Sequence, residues 1–223
     1  MKGIILSAGY GTRLLPLTET KPKALVEYKN APMIHHQILR LQKAGVDEIL
    51  INVHHHAKLM HDYFKINSGK YKADIILKEE KDILGTGGGI LNFHSNLKNE
   101  KCFFVINVDI ETDFKIEKLY EVFENKNPLA VLAVQKRHSA RKLEFTKDMK
   151  LTRRQSENSV TENLFAFNGM HLISGSVFRY GFENKLTDIF DVYFELMKLY
   201  GDEVYGCDTG AVVFKDLGKK ENL

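Results

Sequence analysis

Two cysteines, Cys102 and Cys207, are all that the 223 residues contain. That leaves neither a disulfide framework nor the spaced pairs of a cysteine-type zinc site. No charge of one sign dominates either: 32 lysines and arginines face 29 aspartates and glutamates, a formal net charge of +3. Such a balance is too mild for a chain built to lie on nucleic acid or an anionic membrane, so neither is expected as a partner. Long apolar runs are missing too. The first, residues 3–8, is far too short for a signal peptide or membrane span, and no later run is long enough. A soluble, cytoplasmic protein is therefore expected. Repeats, low-complexity tracts and linkers are also absent. With 43% hydrophobic residues, this composition suffices for one well-buried core.

What is present is an alternation of short apolar runs and amphipathic stretches. Residues 4–6 read as a first strand. In "PMIHHQILRLQKAG" the spacing puts Ile34, Ile38 and Leu41 on one helical face, with Gly45 as the stop. "EILINV", "DIILKE", "CFFVIN" and "LAVLAVQ" read as strands, and "AKLMHDYFKI" and "KIEKLYEVFEN" as helices between them. Alternation at this length predicts an α/β fold, a mixed, mostly parallel sheet flanked by helices. Further on, "KLEFTKDMKLTRRQ" reads as a polar hairpin and "LFAFNGMHLIS" as a buried strand. "TDIFDVYFELMKLYG" reads as a helix with Thr187 as its N-cap and Gly201 as its stop. "EVYGCDTGAVVFKD" reads as a final pair of strands with Asp208, Thr209 and Gly210 in the turn.

The chemistry is concentrated where the first strand breaks into "SAGYGTR". Glycines let successive backbone N–H groups converge, and such a concavity binds anions. The loop lacks the Gly-Lys-Ser/Thr of a P-loop. It also lacks the third glycine of a dinucleotide fingerprint, since Thr12, Arg13 and Leu14 follow Gly9-Tyr10-Gly11. Asp109 follows the most apolar strand at its carboxyl end, the edge where open parallel sheets bind ligands, and a carboxylate there suits a hard cation. The run His54-His55-His56 is no ligand set, because consecutive strand residues alternate faces; a strand-end loop is expected.

"LSAGYGTRLLPLT" with "KPKAL" after it resembles the opening signature of the sugar-1-phosphate nucleotidyltransferases. "LGTGGGI", "VINVDIETDF", "FNGMHLIS" and "VVFKDLGKKENL" continue the likeness along nearly the whole chain. Among subgroups it looks closest to the single-domain N-acetylmuramate-1-phosphate uridylyltransferases and heptose-1-phosphate guanylyltransferases. The resemblance implies one nucleotidyltransferase domain over residues 1–223, with a nucleotide-binding part of about 1–110 and a sugar-phosphate-binding part of about 111–223. It implies a reaction in which an NTP and a sugar 1-phosphate give an NDP-sugar and pyrophosphate, with Mg2+ as cofactor and UTP the slightly favoured nucleotide. Such chemistry needs positioning and charge neutralisation rather than covalent help.

By the same resemblance Arg13 and Lys23 are catalytic, Arg13 on the leaving pyrophosphate and Lys23 near the α-phosphate. Leu6, Ala8, Gly9, Gly11 and Thr12 cradle the nucleotide, and Gly85, Thr86 and Gly87 admit its base. Asn168 and Gly169 stand against the sugar, and Asp109 and Asp216 hold the metal. Departures from the family pattern are visible, among them Phe214 for a tryptophan and Leu217 for a β-branched residue. Val108 replaces a small residue, which is expected to narrow the pocket, and Lys219 replaces a threonine. The Glu-Lys-Pro that many relatives place near the sugar phosphate is absent; Arg141, Lys142, Arg153 and Arg154 fall in that region. A catalytically inactive nucleotide-binding regulator of the same fold is the competing reading. A nicotinamide-dependent dehydrogenase would need an acidic residue where the three histidines stand.

Overall fold

In the computed structural model, which describes residues 1–155 and 162–223, the first apolar run forms β1 (Lys2–Leu6). The glycine loop then leads to a small hairpin of β2 (Glu27–Tyr28) and β3 (Ala31–Pro32). Next comes α1 (Met33–Lys43), with Ile34, Ile38 and Leu41 fully buried, as their spacing predicts. It stops at Gly45: the N–H groups of Gly45 and Val46 return to the carbonyls of Gln42 and Leu41, each at 3.0 Å. The chain continues through β4 (Glu48–Val53), α2 (Ala57–Asn67), β5 (Asp74–Glu79), α3 (Gly85–Leu91) and α4 (His94–Leu97). Then come β6 (Cys102–Asn107), β7 (Ile110–Thr112), α5 (Lys118–Lys126) and β8 (Ala130–Gln135). The polar hairpin is β9 (Lys142–Phe145) and β10 (Leu151–Arg154), and the buried strand after it is β11 (Leu164–Ser174). The last elements are α6 (Ile189–Tyr200), β12 (Val204–Asp208) and β13 (Phe214–Asp216).

Among the described residues, nine strands form one mixed sheet whose central order β6-β1-β4-β5 is parallel. β11 lies antiparallel to β6 on one side and to β8 and β9 on the other. The parallel strands are apolar at successive residues because both faces are covered. In β1 and β6, Ile5, Phe104 and Ile106 pack into the core under α1, α2 and α5, while Ile4, Phe103 and Val105 pack into the one under α3 and α6. The sheet is therefore covered and anchored from both sides.

Two sequence expectations are corrected. The N-cap of α6 is Asp188, whose carboxylate accepts the Phe190 N–H at 2.8 Å, not Thr187. Thr187 is committed elsewhere: its carbonyl accepts the Gly87 N–H at 2.8 Å. The final two strands both form but do not pair with each other. β12 adds in parallel to β8, and β13 crosses over to pair with β7. Alternating apolar residues around a turn specify strands, not their partners.

His171 of β11 is buried, with its Nδ1 2.7 Å from the Tyr193 hydroxyl. Burial pushes its pKa from 6.5 down to about 3. Below pH 6.5 the unfolded chain takes up a proton that the folded chain refuses, so this group removes stability as pH falls through that window. Its contribution reaches up to roughly tenfold in the folding equilibrium per pH unit. Chemical unfolding followed from pH 7 to pH 4 should show this slope, and His171→Gln should flatten it. Equal slopes would exonerate the histidine.

Candidate active site

Four strand ends meet at the carboxyl edge of the sheet. Leu6 of β1 is in register with Asn107 of β6 on one side and Asn52 of β4 on the other. Just past β1, Ser7 is clamped to Asn52: its N–H donates to Oδ1 at 2.8 Å and its hydroxyl to the carbonyl at 2.6 Å. Asn52 Nδ2 in turn donates to Glu80 Oε1 at 2.7 Å, and Glu80 Oε2 accepts the Leu84 N–H at 3.1 Å. This buried polar chain fixes the glycine loop against the segment that leads into α3.

The glycine loop turns at Gly11, where φ is +68°. A Cβ there would collide with Thr18 Cγ2 at 2.9 Å, so both the turn and its packing require glycine. Thr18 locks it by donating its hydroxyl to the Gly11 carbonyl at 2.9 Å. The loop thus closes on itself and delivers Lys23, just after Pro22, to the cavity that it borders.

That cavity encloses about 200 Å³. Leu6, Ala8, Gly9 and Lys23 line it from the loop side, Gly85 and Thr86 from α3, and Asp109 from the end of β6. All seven were expected from the sequence, and the fold brings them together. Asn52, Glu80 and Asn107 line it as well, and the sequence reading missed them. Their one signal was position: each is a polar residue at or just past the end of a parallel strand. A wider, open groove of about 630 Å³ lies at the opposite end of β6, between residues 94–101 and 174–179, and contains none of these groups.

Beside the cavity two ion pairs converge. Lys23 Nζ donates to Asp109 Oδ2 at 2.8 Å, with both side chains largely buried. An Arg13 terminal nitrogen donates to Asp216 Oδ2, also at 2.8 Å, in a more exposed pair. The hydrogen bond to Asp216 raises the Arg13 pKa further above its usual value. Gly218 sits against three of the four side chains: a Cβ there would lie 2.6 Å from Asp109 Oδ2, 2.7 Å from Arg13 and 2.8 Å from Asp216 Oδ1. Residues 109 and 216, so distant in sequence, meet because β13 pairs with β7 in a register that sets Asp216 opposite Ile110. The Leu217 N–H then donates to the Asp109 carbonyl at 2.8 Å.

The remaining expected residues take other places. Thr12 and Arg13 form a short 3-10 turn on the loop's outer side. Thr86 Oγ1 accepts the Ile189 N–H at 3.0 Å, and Gly87 is turned to the Thr187 carbonyl, away from the cavity lining. Gly169, at φ +70°, sits at an irregularity of β11 where a Cβ would lie 2.3 Å from Ile110 and 2.9 Å from Asn107. Asn168 is buried and committed: Oδ1 accepts from Arg137 at 3.0 Å, and Nδ2 donates to Thr209 at 3.3 Å. Val108, expected to narrow the pocket, instead points into the core under α1 and is fully buried. The three histidines do occupy the loop after β4, and among the described residues no group of three or more His, Cys, Asp or Glu could hold a metal.

Fold and site together define an α/β protein with a glycine loop, two basic residues and two carboxylates gathered at one sheet edge. The family model for nucleotidyl transferase matches residues 2–143, and the chain belongs to that family. It is 40% identical over 137 residues to the mannose-1-phosphate guanyltransferase of Yarrowia lipolytica, a match spanning 61% of this chain and 38% of that relative. Among solved structures it superposes on HddC from Yersinia pseudotuberculosis complexed with GMP-PN at a TM-score of 0.78, with 19% identity over 99% of this chain and 95% of that one. The inositol-1-phosphate CTP transferase from T. maritima gives a TM-score of 0.81, with 17% identity over 100% and 91% of the two chains. The structural likenesses establish the fold alone.

Proposed function

We propose that the chain transfers a nucleotidyl group from an NTP to a sugar 1-phosphate. An oxygen of the sugar phosphate bonds to the α-phosphorus, the bridging P–O bond to the β-phosphate breaks, and pyrophosphate leaves with its electron pair. The observation that carries this reading is the convergence of Lys23–Asp109 and Arg13–Asp216 over Gly218, beside a cavity opened by the glycine loop. Lys23, inside the cavity, would hold the α-phosphate, and Arg13, on its outer side, the departing pyrophosphate. Neither needs to exchange a proton, because positioning and charge neutralisation carry most of the chemistry.

The two carboxylates fit a magnesium ion. They are hard oxygen donors around one point, too few to make a complete protein cage, as suits an ion that keeps waters and takes phosphate oxygens. When bound there it would neutralise the phosphates and polarise the α-phosphorus. Lys23 and Arg13 hold the carboxylates in place meanwhile, and turn to the phosphates as these arrive.

The curated relative in Yarrowia lipolytica favours guanylyl transfer with mannose 1-phosphate. The chemistry of Glu80 supports the same base. Glu80 lines the cavity, and a carboxylate, whose oxygens can each accept more than one hydrogen bond, suits the adjacent N–H donors of guanine better than the single N–H that uracil carries between two carbonyls. Pyrophosphate release, crossing GTP, UTP, CTP and dTTP against sugar 1-phosphates with magnesium, tests the reaction. Turnover should be highest with GTP and vanish in excess EDTA. Glu80→Gln should cut the GTP-over-UTP preference by roughly tenfold or more. An unchanged ratio would remove Glu80 from base selection. No release with any pair, with GTP still bound, would favour the inactive regulator.

A further inference from the structure

Arg137 stands two residues past the end of β8 and is partly buried. β11 runs antiparallel to both β6 and β8, so β8 points the same way as β6. Arg137 therefore lies at the same sheet edge as Asp109. Its guanidinium stacks on the Phe214 ring at 4.1 Å. Phe214 and Asp216 are two apart in β13 and share a face, so Arg137 is one strand step from the Arg13–Asp216 pair.

Its partners are all neutral. Nε donates to Asn168 Oδ1 at 3.0 Å, one terminal nitrogen to the Phe167 carbonyl at 2.9 Å, and the other to the His138 carbonyl at a marginal 3.5 Å. Among the described residues no carboxylate pairs with it directly, and burial lowers its pKa, with Asp216 the nearby charge that opposes this. A partly desolvated charge without a counter-ion is costly unless an anion completes it. The side-on edge of the fork is spent on Asn168 and Phe167. The end-on edge, one N–H from each terminal nitrogen, is opposed only by the marginal His138 contact and has the geometry that grips a phosphate in two places.

Of the four basic residues that the sequence offered for this role, the two on β10 are committed to carboxylates. Arg153 pairs with Glu144, and Arg154 with Asp188 and Asp191. We propose that Arg137 is the phosphate anchor of the acceptor subsite, its end-on N–H pair gripping the phosphate of the sugar 1-phosphate beside Asp216 while Asn168 and Phe214 hold the guanidinium still. The proposal rests on the nucleotidyl-transfer reading. It gives buried Asn168 a purpose as well: it positions the cation and does not touch the sugar.

The test compares wild type, Arg137→Gln and Arg137→Lys by thermal-shift titration with magnesium-GTP and with a panel of hexose 1-phosphates including mannose 1-phosphate, with free mannose as control. Expected is an unchanged response of both variants to GTP. The apparent Kd for the responding hexose 1-phosphate should rise at least tenfold, and so should its KM in pyrophosphate release, while the KM for GTP stays within twofold. Should the glutamine variant not fold, the lysine variant decides, since it keeps the charge and loses the fork. Equal sugar-phosphate affinity in variants and wild type would overturn Arg137 alone. A wild type that binds GTP but no hexose 1-phosphate would overturn the subsite and the proposed reaction together.

Discussion

Lys23→Ala is expected to lower kcat/KM on the order of 10³-fold, the scale seen when a preorganised group opposite developing charge is removed. Lys23 is the cation that lines the cavity itself, and the folded loop holds it there by packing Gly11 against Thr18 and the Lys23 stem. The variant carries a second, separable effect. The Lys23 and Asp109 side chains are only 15% and 10% exposed, so truncation leaves a carboxylate with little water and no cation. Removing one partner of such a pair costs about 3–5 kcal/mol when burial is complete, and this site, opening on a cavity, should lose less. The melting temperature should therefore fall, and saturating magnesium with GTP should restore more of it than in wild type. Wild-type turnover in a folded Lys23→Ala protein would remove Lys23 from the chemistry.

Asp109→Asn should be nearly as severe, on the order of 10³-fold in kcat, for the complementary reason. The amide keeps the shape of the carboxylate and can still accept from Lys23, so the fold should survive with little change. What it loses is the negative charge that a hard cation requires. The loss should appear as a higher magnesium concentration for half-maximal nucleotide binding, measured by calorimetry, as well as in turnover. Asp216→Asn should follow the same direction with a smaller effect, because its side chain is more exposed and Arg13 and the Gly218 N–H already share its oxygens. If Asp109→Asn left both the magnesium dependence and the rate unchanged, the metal reading of the pair would fall.

Much of this molecule is legible in its sequence. Ile4 and Ile5, or Phe103 and Phe104, are both buried, on opposite faces, and only a strand covered on both sides demands apolar residues in succession. That local rule yielded the parallel core, and chain order placed the glycine loop and Asp109 at strand ends. Seven residues that the sequence singled out for chemistry line one cavity. The end of α6 at Gly201 was likewise readable, from a left-handed cap that glycine favours.

What the sequence could not supply was partnership. Whether β12 turns back on β13 or leaves it for β8 depends on which edges are free once the sheet is built, and no pattern within either strand encodes that. The same crossing brings Asp216 beside Asp109 and sets Phe214 beneath Arg137. Residue type and spacing determined which groups could do chemistry, because they act through local conformation. Only the tertiary structure decided which of them meet, because the pairing of remote strand edges is settled by the burial of the whole sheet.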